Sequence, residues 1–384
     1  MDVPAPARPP LTEPQPADSA RLRLAGARLP LVGRARVYVC GITPYDVTHL
    51  GHAATFVWAD TAAAVMRLAG VEPETCRNVT DVDDVLTRAA AARGRYYDEF
   101  AVTQEFLFGR DMTHLRVRRP THAPHARSHV KDVVQLGLAL LANGAAYERD
   151  GHVYFRGGDL PGRHGLGRDE ALALSRQYGD HPDDPLREDP FDVPVWLPSG
   201  PDDPAFPSPW GWGRPGWHAE CAAMAVSLLG GCIDLLAGGA DLAFPHHAYQ
   251  AAMAEGATGS RPFARALLQV GTVRLRGEKM AKSTGNLVLV ADLLQEAPSA
   301  AVRLLLLDRP WQAPWDYRTE DLLAAAARVE RLYRAAGTTG SDRAASAAVV
   351  TALLDDLDVP TALDVAEEAG GDAARLLLRT LSLD

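Results

Sequence analysis

The chain has 384 residues, 47% hydrophobic and 23% charged, with a formal net charge of −10. That is enough for two or three packed units of a globular protein; no apolar run approaches the ~20 residues that span a bilayer. The four cysteines, Cys40, Cys76, Cys221 and Cys232, are too scattered for a disulfide framework, and the acidic balance argues against a nucleic-acid partner.

In chain order, residues 1–25 are rich in Pro and Ala and lack the basic-then-apolar order of a signal peptide, so they read as a flexible arm on a cytoplasmic protein. Arg36–Cys40 reads as a buried strand, Gly41–Thr48 as a turn, and Leu50–Ala69 as a helix stopped by Gly70. A second strand over Glu74–Val79 completes a βαβ unit, the seed of a parallel sheet. Asp98–Met112 and Thr121–Asn143 are predicted helical, and Gly151–Phe155 a strand. Pro182–Pro215, dense in Pro, Asp and Gly, is predicted to be loops over a site. Trp217–Leu229 is a predicted helix and Ile233–Leu236 a strand. A Gly-Gly turn and a helix from His246 follow. Residues 267–275 are a predicted strand, and a loop carries Lys279–Asn286. From Thr319 onward the chain reads as helical, with 12 acidic residues against 6 arginines and no lysine.

Two short features carry chemistry. Thr48-His49-Leu50-Gly51-His52 follows a strand and opens a helix, with His49 and His52 three apart on one face. A helix N-terminus attracts anions, and two imidazoles there can donate to phosphate oxygens. Taken alone, the pair reads equally well as capping or core residues. The second is Lys279-Met280-Ala281-Lys282-Ser283. The chain has only three lysines against 36 arginines, yet two of them sit three apart here. A compact ammonium suits phosphate binding, although by itself the pentapeptide reads as a solvated turn.

Together the two features resemble the paired signatures of class I aminoacyl-tRNA synthetases, with Ala281 in place of the usual serine. Cys40 at the end of a strand, Cys221 after Gly216-Trp217-His218-Ala219-Glu220, and His246 in Phe244-Pro245-His246-His247 offer two thiolates and an imidazole. This is a good zinc set with a fourth position open for a substrate thiolate. Each cysteine alone reads as a buried, inert thiol. Tyr38-Val39-Cys40-Gly41-Ile42-Thr43-Pro44-Tyr45-Asp46, Asn78-Val79-Thr80-Asp81-Val82-Asp83-Asp84 and Gly213-Arg214-Pro215-Gly216-Trp217-His218 extend the likeness from about Val37 to Trp315. Here the chain resembles the cysteinyl-tRNA synthetase family. It is closer still to the related cysteine ligases of mycothiol biosynthesis, which join cysteine to glucosaminyl-inositol.

The resemblance implies a class I synthetase Rossmann-like α/β fold. A parallel-sheet catalytic domain (26–290) would carry an inserted connective unit (about 113–215), and a helical stem and C-terminal cap would span 291–384. It implies one Zn2+ on Cys40, Cys221 and His246, and ATP with Mg2+ as substrate. His49, His52, Lys279 and Lys282 would stabilise phosphate charge. Adenylate contacts would fall on Gly41, Ile42, Thr43, Thr55, Asn78, Val79, Thr80, Trp217, Gly239, Ala240, Asp241 and Val273. The expected activity is ATP-dependent activation of L-cysteine and ligation to a small amine, by a monomer with neither nucleic acid nor membrane as partner. Three departures qualify it. Gln250 stands where the synthetases use a fourth metal ligand, a glutamate, which favours the three-ligand site of the ligases. Gln177-Tyr178-Gly179-Asp180-His181-Pro182 replaces the ligases' Glu-Arg-Gly-Gly-Asp-Pro, and Ala248 replaces a glutamate. A paralogue acylating a different amine, a transfer-RNA enzyme and a non-catalytic nucleotide- or zinc-binding relative are the alternatives.

Overall fold

The computed structural model describes residues 21–45, 48–82, 84–200, 203–280 and 285–384. A hairpin of β1 (Arg23–Leu24) and β2 (Ala27–Arg28) precedes β3 (Arg34–Ile42). The arm expected to be loose through Ala25 is therefore packed from Arg21 on: Leu22 and Leu24 are buried, because the hairpin lays them on the core shared with the first helix. After β3 come α1 (Leu50–Leu68), β4 (Glu72–Val79), α2 (Asp84–Ala91) and α3 (Tyr97–His114). The inserted unit holds α4 (Val130–Ala142), β5 (Ala146–Arg149), β6 (His152–Phe155), α5 (Leu160–Arg163), α6 (Arg168–Gln177), β7 (Val193–Pro198) and β8 (Gly213–Pro215). The chain returns through α7 (Trp217–Leu229), β9 (Ile233–Gly239), α8 (Ala248–Thr258) and β10 (Ala264–Val270).

The central sheet has the order β10-β9-β3-β4, parallel throughout. From β3 the chain leaves to one side for β4 and later returns on the other side as β9. The order therefore reverses between β3 and β9, where open α/β sheets leave a crevice beyond the strand ends. Side chains alternate across a strand. Val37 and Val39 belong to the core of α1, while Tyr38 and Cys40 belong to that of α7. The same parity places Cys76 in the core beside α7. Helix α7 is apolar nearly all round because it is covered twice. Cys221 and Met224 pack in the core shared with the sheet, and Ala219 and Ala222 in the core shared with the insert.

The insert is an antiparallel sheet, β5-β6-β7-β8, whose first hairpin turns on Asp150 and Gly151, both at positive φ. Beyond the central sheet, β11 (Val273–Leu275), β12 (Glu278–Lys279), α9 (Val290–Glu296), α10 (Ser299–Leu307) and β13 (Trp315–Asp316) lead into α11 (Thr319–Ala336), α12 (Arg343–Leu354), α13 (Val359–Ala369) and α14 (Gly371–Thr380). The leucines of these last helices, Leu332, Leu353, Leu363 and Leu377 among them, join the core that holds Trp58 of α1. Arg303 of α10 is fully buried. It pairs with Asp60 of α1 at 2.6 Å and donates to the carbonyls of Leu115 and Leu381.

Four predicted elements are corrected. Thr121–Asn143 is helical only from Val130, apart from a 3-10 turn at Ala126–Ser128. Pro124 disfavours helix before it, and residues 121–125 run beside β4, with Arg77 N–H donating to the His122 carbonyl and Val79 N–H to that of Pro124. The stretch taken as loops, 182–215, contains β7 and β8, because Val193, Val195 and Trp196 are buried in the insert core. β9 runs through Gly238 and Gly239 with no turn there. A β-carbon on Gly238 would lie 2.6 Å from His247 Cε1, so the glycine serves close packing. Residues 267–275 are two strands in two sheets. Gly271 breaks the run where its Cα meets the Ala313 backbone, leaving no room for a β-carbon. Among the described residues no helix is long and apolar enough to cross a membrane.

Candidate active site

The crevice at the switch point collects most of the expected residues. Cys40 on β3, Cys221 on α7 and His246 at the entry to α8 bring their ligand atoms within 4.8 Å of one another, all three buried. His246 Nε2 lies 3.3 Å from Cys221 Sγ, and Asn78 Nδ2 donates to the same sulfur at 3.2 Å. Gln250, fully buried, accepts from Cys40 Sγ at 3.4 Å through its Oε1. Burial and the neighbouring Cys221 sulfur push the Cys40 thiol well above its usual pKa. The hydrogen bond from Cys40, aided by His246, holds Cys221 well below it. Two sulfurs and an imidazole thus converge on one point, donors of the kind a soft cation takes.

The sequence reading missed His218. Its Nδ1 lies 2.9 Å from His246 Nδ1, and burial, with Arg187, pulls its imidazole down to about 3. The two rings share one proton across this contact, so one Nδ1 donates to the other. With the proton on His246 Nδ1, its Nε2 would be free to offer a lone pair to a metal, the usual duty of a group behind a ligand histidine. The signal was its place three residues before Cys221, one helical turn away.

Around the cluster the backbone is tightly fitted. Gly41 N–H donates to Asn78 Oδ1 at 2.9 Å, so one buried amide spans the β3 end and the Cys221 sulfur. A β-carbon on Gly41 would lie 1.7 Å from the Asn78 carbonyl oxygen. Gly41→Ala should therefore push β3 and β4 apart and cost at least about 2 kcal/mol, read by urea unfolding; an unchanged midpoint would refute this fit. Thr43 and Thr80 share a 2.6 Å hydroxyl hydrogen bond at the strand ends, and Thr80 N–H donates to the Ile42 carbonyl. Gly239, Ala240 and Asp241 follow at the end of β9, with Thr55 of α1 close to Gly239. Trp217 stacks on His246 at 4.1 Å and 27°. Val79 and Val273 are buried, Val273 in the three-stranded sheet β12-β11-β13.

The two elements expected to meet phosphate lie beside this. His49 caps α1 by accepting the Gly51 N–H at Nδ1, which places the proton of the neutral ring on Nε2, the donor a phosphate oxygen needs. The capping role that the sequence left open is thus real. His52 stacks on it at 3.8 Å; its side chain is exposed to solvent, yet desolvation by the surrounding chain pulls its imidazole down to about 4, against Asp241. Lys279 Nζ meets Asp241 Oδ2 at 2.6 Å. Burial works against the ammonium, but Asp241 and the Tyr178 phenol raise its pKa and keep it charged. Lys282, expected beside it, lies outside the described residues. The chain beyond the loop is pinned to the first signature: Leu50 N–H donates to the Val288 carbonyl and Val290 N–H to that of Thr48.

Comparison with known proteins gives a consistent picture. Residues 30–327 match the family described as tRNA synthetases class I (C) catalytic domain. The L-cysteine:1D-myo-inositol 2-amino-2-deoxy-alpha-D-glucopyranoside ligase of Thermobifida fusca is 42% identical over 87% of this chain and 82% of its own length. The protein of the same name from Thermomonospora curvata is 44% identical over 86% and 81%. Among solved structures, methionyl-tRNA synthetase of Mycobacterium tuberculosis bound by methionyl-adenylate aligns with a TM-score of 0.63 at 16% identity, covering 91% of this chain and 88% of that one. That likeness speaks for the fold alone.

Proposed function

Because the chain belongs to the family of class I (C) tRNA synthetase catalytic domains, we propose that it activates L-cysteine with ATP and transfers the cysteinyl group to the amine of glucosaminyl-inositol, as its relatives' name implies. The observation that carries this reading is the buried cluster of two thiols and one imidazole, set at the crevice beside the Asp241–Lys279 pair.

Zinc is the metal that fits Cys40, Cys221 and His246, and when bound it supplies a sulfur-seeking Lewis acid that favours the substrate's thiolate over a hydroxyl or methyl. Gln250, an amide where a glutamate would add a fourth protein ligand, leaves that position to the substrate. Thr43, Thr80 and Asp241 hold the α-ammonium and ribose, and Trp217 walls the amino-acid side. With sulfur and nucleotide held, the cysteine carboxylate attacks the ATP α-phosphate and pyrophosphate leaves. His49, His52, Lys279 and Lys282 stabilise the charge on the phosphate oxygens, with Mg2+ carried by ATP. The acceptor amine then attacks the acyl carbon of the adenylate, loses a proton as the amide forms, and AMP departs. The acidic helical cap is a poor surface for an RNA backbone, which favours a small acceptor.

The reading is tested by cysteine-dependent exchange of labelled pyrophosphate into ATP, followed by mass detection of cysteinyl-glucosaminyl-inositol. Zinc-replete protein that supports no exchange with cysteine would overturn it. Exchange without that product would point to a paralogue with another amine.

A further inference from the structure

A cavity outside the residues assigned to the reaction lies between α1, β4 and the segment 117–120 that follows α3. Asp60 and Arg67, seven apart on one face of α1, form one wall. Arg77 of β4 forms the second, and Arg118 and Arg119 stand at the third. Its volume is about 40 Å³, a few times what a single water needs. Four guanidiniums thus meet around a space for one small molecule.

Elsewhere in the chain, guanidiniums taken from solvent are matched by carboxylates. Arg187 bonds Asp180 at 2.6 Å, Arg303 bonds Asp60 at 2.6 Å, and Arg328 bonds Asp308 at 2.9 Å. The cavity arginines are not matched in this way. Half-buried Arg77 lies over the rings of Phe56 and Phe108, at 5.5 and 5.0 Å. Among the described residues, no carboxylate or carbonyl accepts a hydrogen bond from its guanidinium. The two carboxylates that favour its charge are engaged elsewhere: Asp60 by Arg303 and the Arg118 N–H, and Glu105 by His125. Burial outweighs both and pulls Arg77 down to about 10. Arg67 meets Glu72 through Nε alone, at 3.5 Å, and its buried Nη1 has no partner. Arg118 and Arg119 are exposed at the mouth, and their side chains form no ion pair among the described residues. A buried N–H without an acceptor is costly. A tetrahedral oxyanion offers several oxygens to planar guanidinium forks, and the space is too small to enclose a nucleoside.

We propose that this cavity is an anion site that binds one phosphate group, free or at the end of a small metabolite, through Arg67, Arg77, Arg118 and Arg119. The bound group ties α1 to β4, and the site stands independently of the ligase reading. Equilibrium dialysis of the full-length protein with labelled inorganic phosphate, at constant ionic strength in chloride, tests it. The unaltered protein should bind phosphate at millimolar concentration. Lys279→Ala, which alters the crevice, should bind it equally well. Arg77→Met and Arg118→Ala should each weaken binding about tenfold or more. Arg118→Ala changes an exposed side chain, so it decides the matter even where Arg77→Met fails to fold. Glucose 6-phosphate that displaces the label marks a phosphate monoester as a ligand, and failure to displace it marks free phosphate alone. No binding by the unaltered protein overturns the proposal, as does undiminished binding by Arg118→Ala. So does loss of binding in Lys279→Ala, which would place the phosphate in the crevice.

Discussion

Cys221→Ala should leave the purified protein with far less than one zinc per chain and lower cysteine-dependent pyrophosphate exchange by about a thousandfold or more. The side chain is one of two thiols in the cluster, and it accepts from the Asn78 amide and faces His246. Without it a single thiol and an imidazole remain, too few to hold zinc tightly. The same change should reduce discrimination against serine to the roughly hundredfold or less that pocket shape supplies, because sulfur-selective coordination is gone. Elemental analysis of the variant, exchange kinetics with both amino acids and circular dichroism to confirm folding decide the matter. A folded variant that retains both its zinc and its preference would sink the ligand set.

Lys279→Ala should lower the exchange rate about 10²- to 10³-fold, the usual effect of removing one preorganised donor from a developing anion. The KM for cysteine should stay within about threefold, since the sulfur end of the site is untouched. Lys279 is set for this role by its backbone. It pairs with Arg274 in the small sheet, and its carbonyl accepts from Asn286 Nδ2 at 3.1 Å, so the ammonium projects from an anchored strand. Steady-state exchange at varied cysteine and ATP separates the two constants. A loss expressed wholly in the cysteine KM would assign Lys279 to amino-acid binding.

Much of this arrangement was legible because local pattern and tertiary position agree. The alternation of Val37, Tyr38, Val39 and Cys40 decides which face of the sheet each residue occupies, and so delivers Cys40 to the side where α7 brings Cys221. The helix starting at Leu50 follows from its apolar run and the stop at Gly70. Other features lie in partnerships that no local window contains. Residues 121–125 carry no strand pattern of their own and are extended because β4 offers them an edge. Gly238 reads as a turn until the His247 ring is seen against it. His218 and Tyr178 act through side chains that are close in space and distant in sequence: the first against His246, the second against Trp217 and Lys279.

The buried guanidinium of Arg303 has a consequence for how substrates are held. It ties the middle of α1, through Asp60, to the turn after α3 and to the carbonyl of Leu381 near the chain's end. Helix α1 has His49 at its N-cap and His52 on its first turn, so the same rod that would present imidazoles to a nucleotide is bolted at mid-length to Leu381. Loss of the Leu381 contact would therefore be transmitted as a loss of aim about two to three turns away, at the imidazoles.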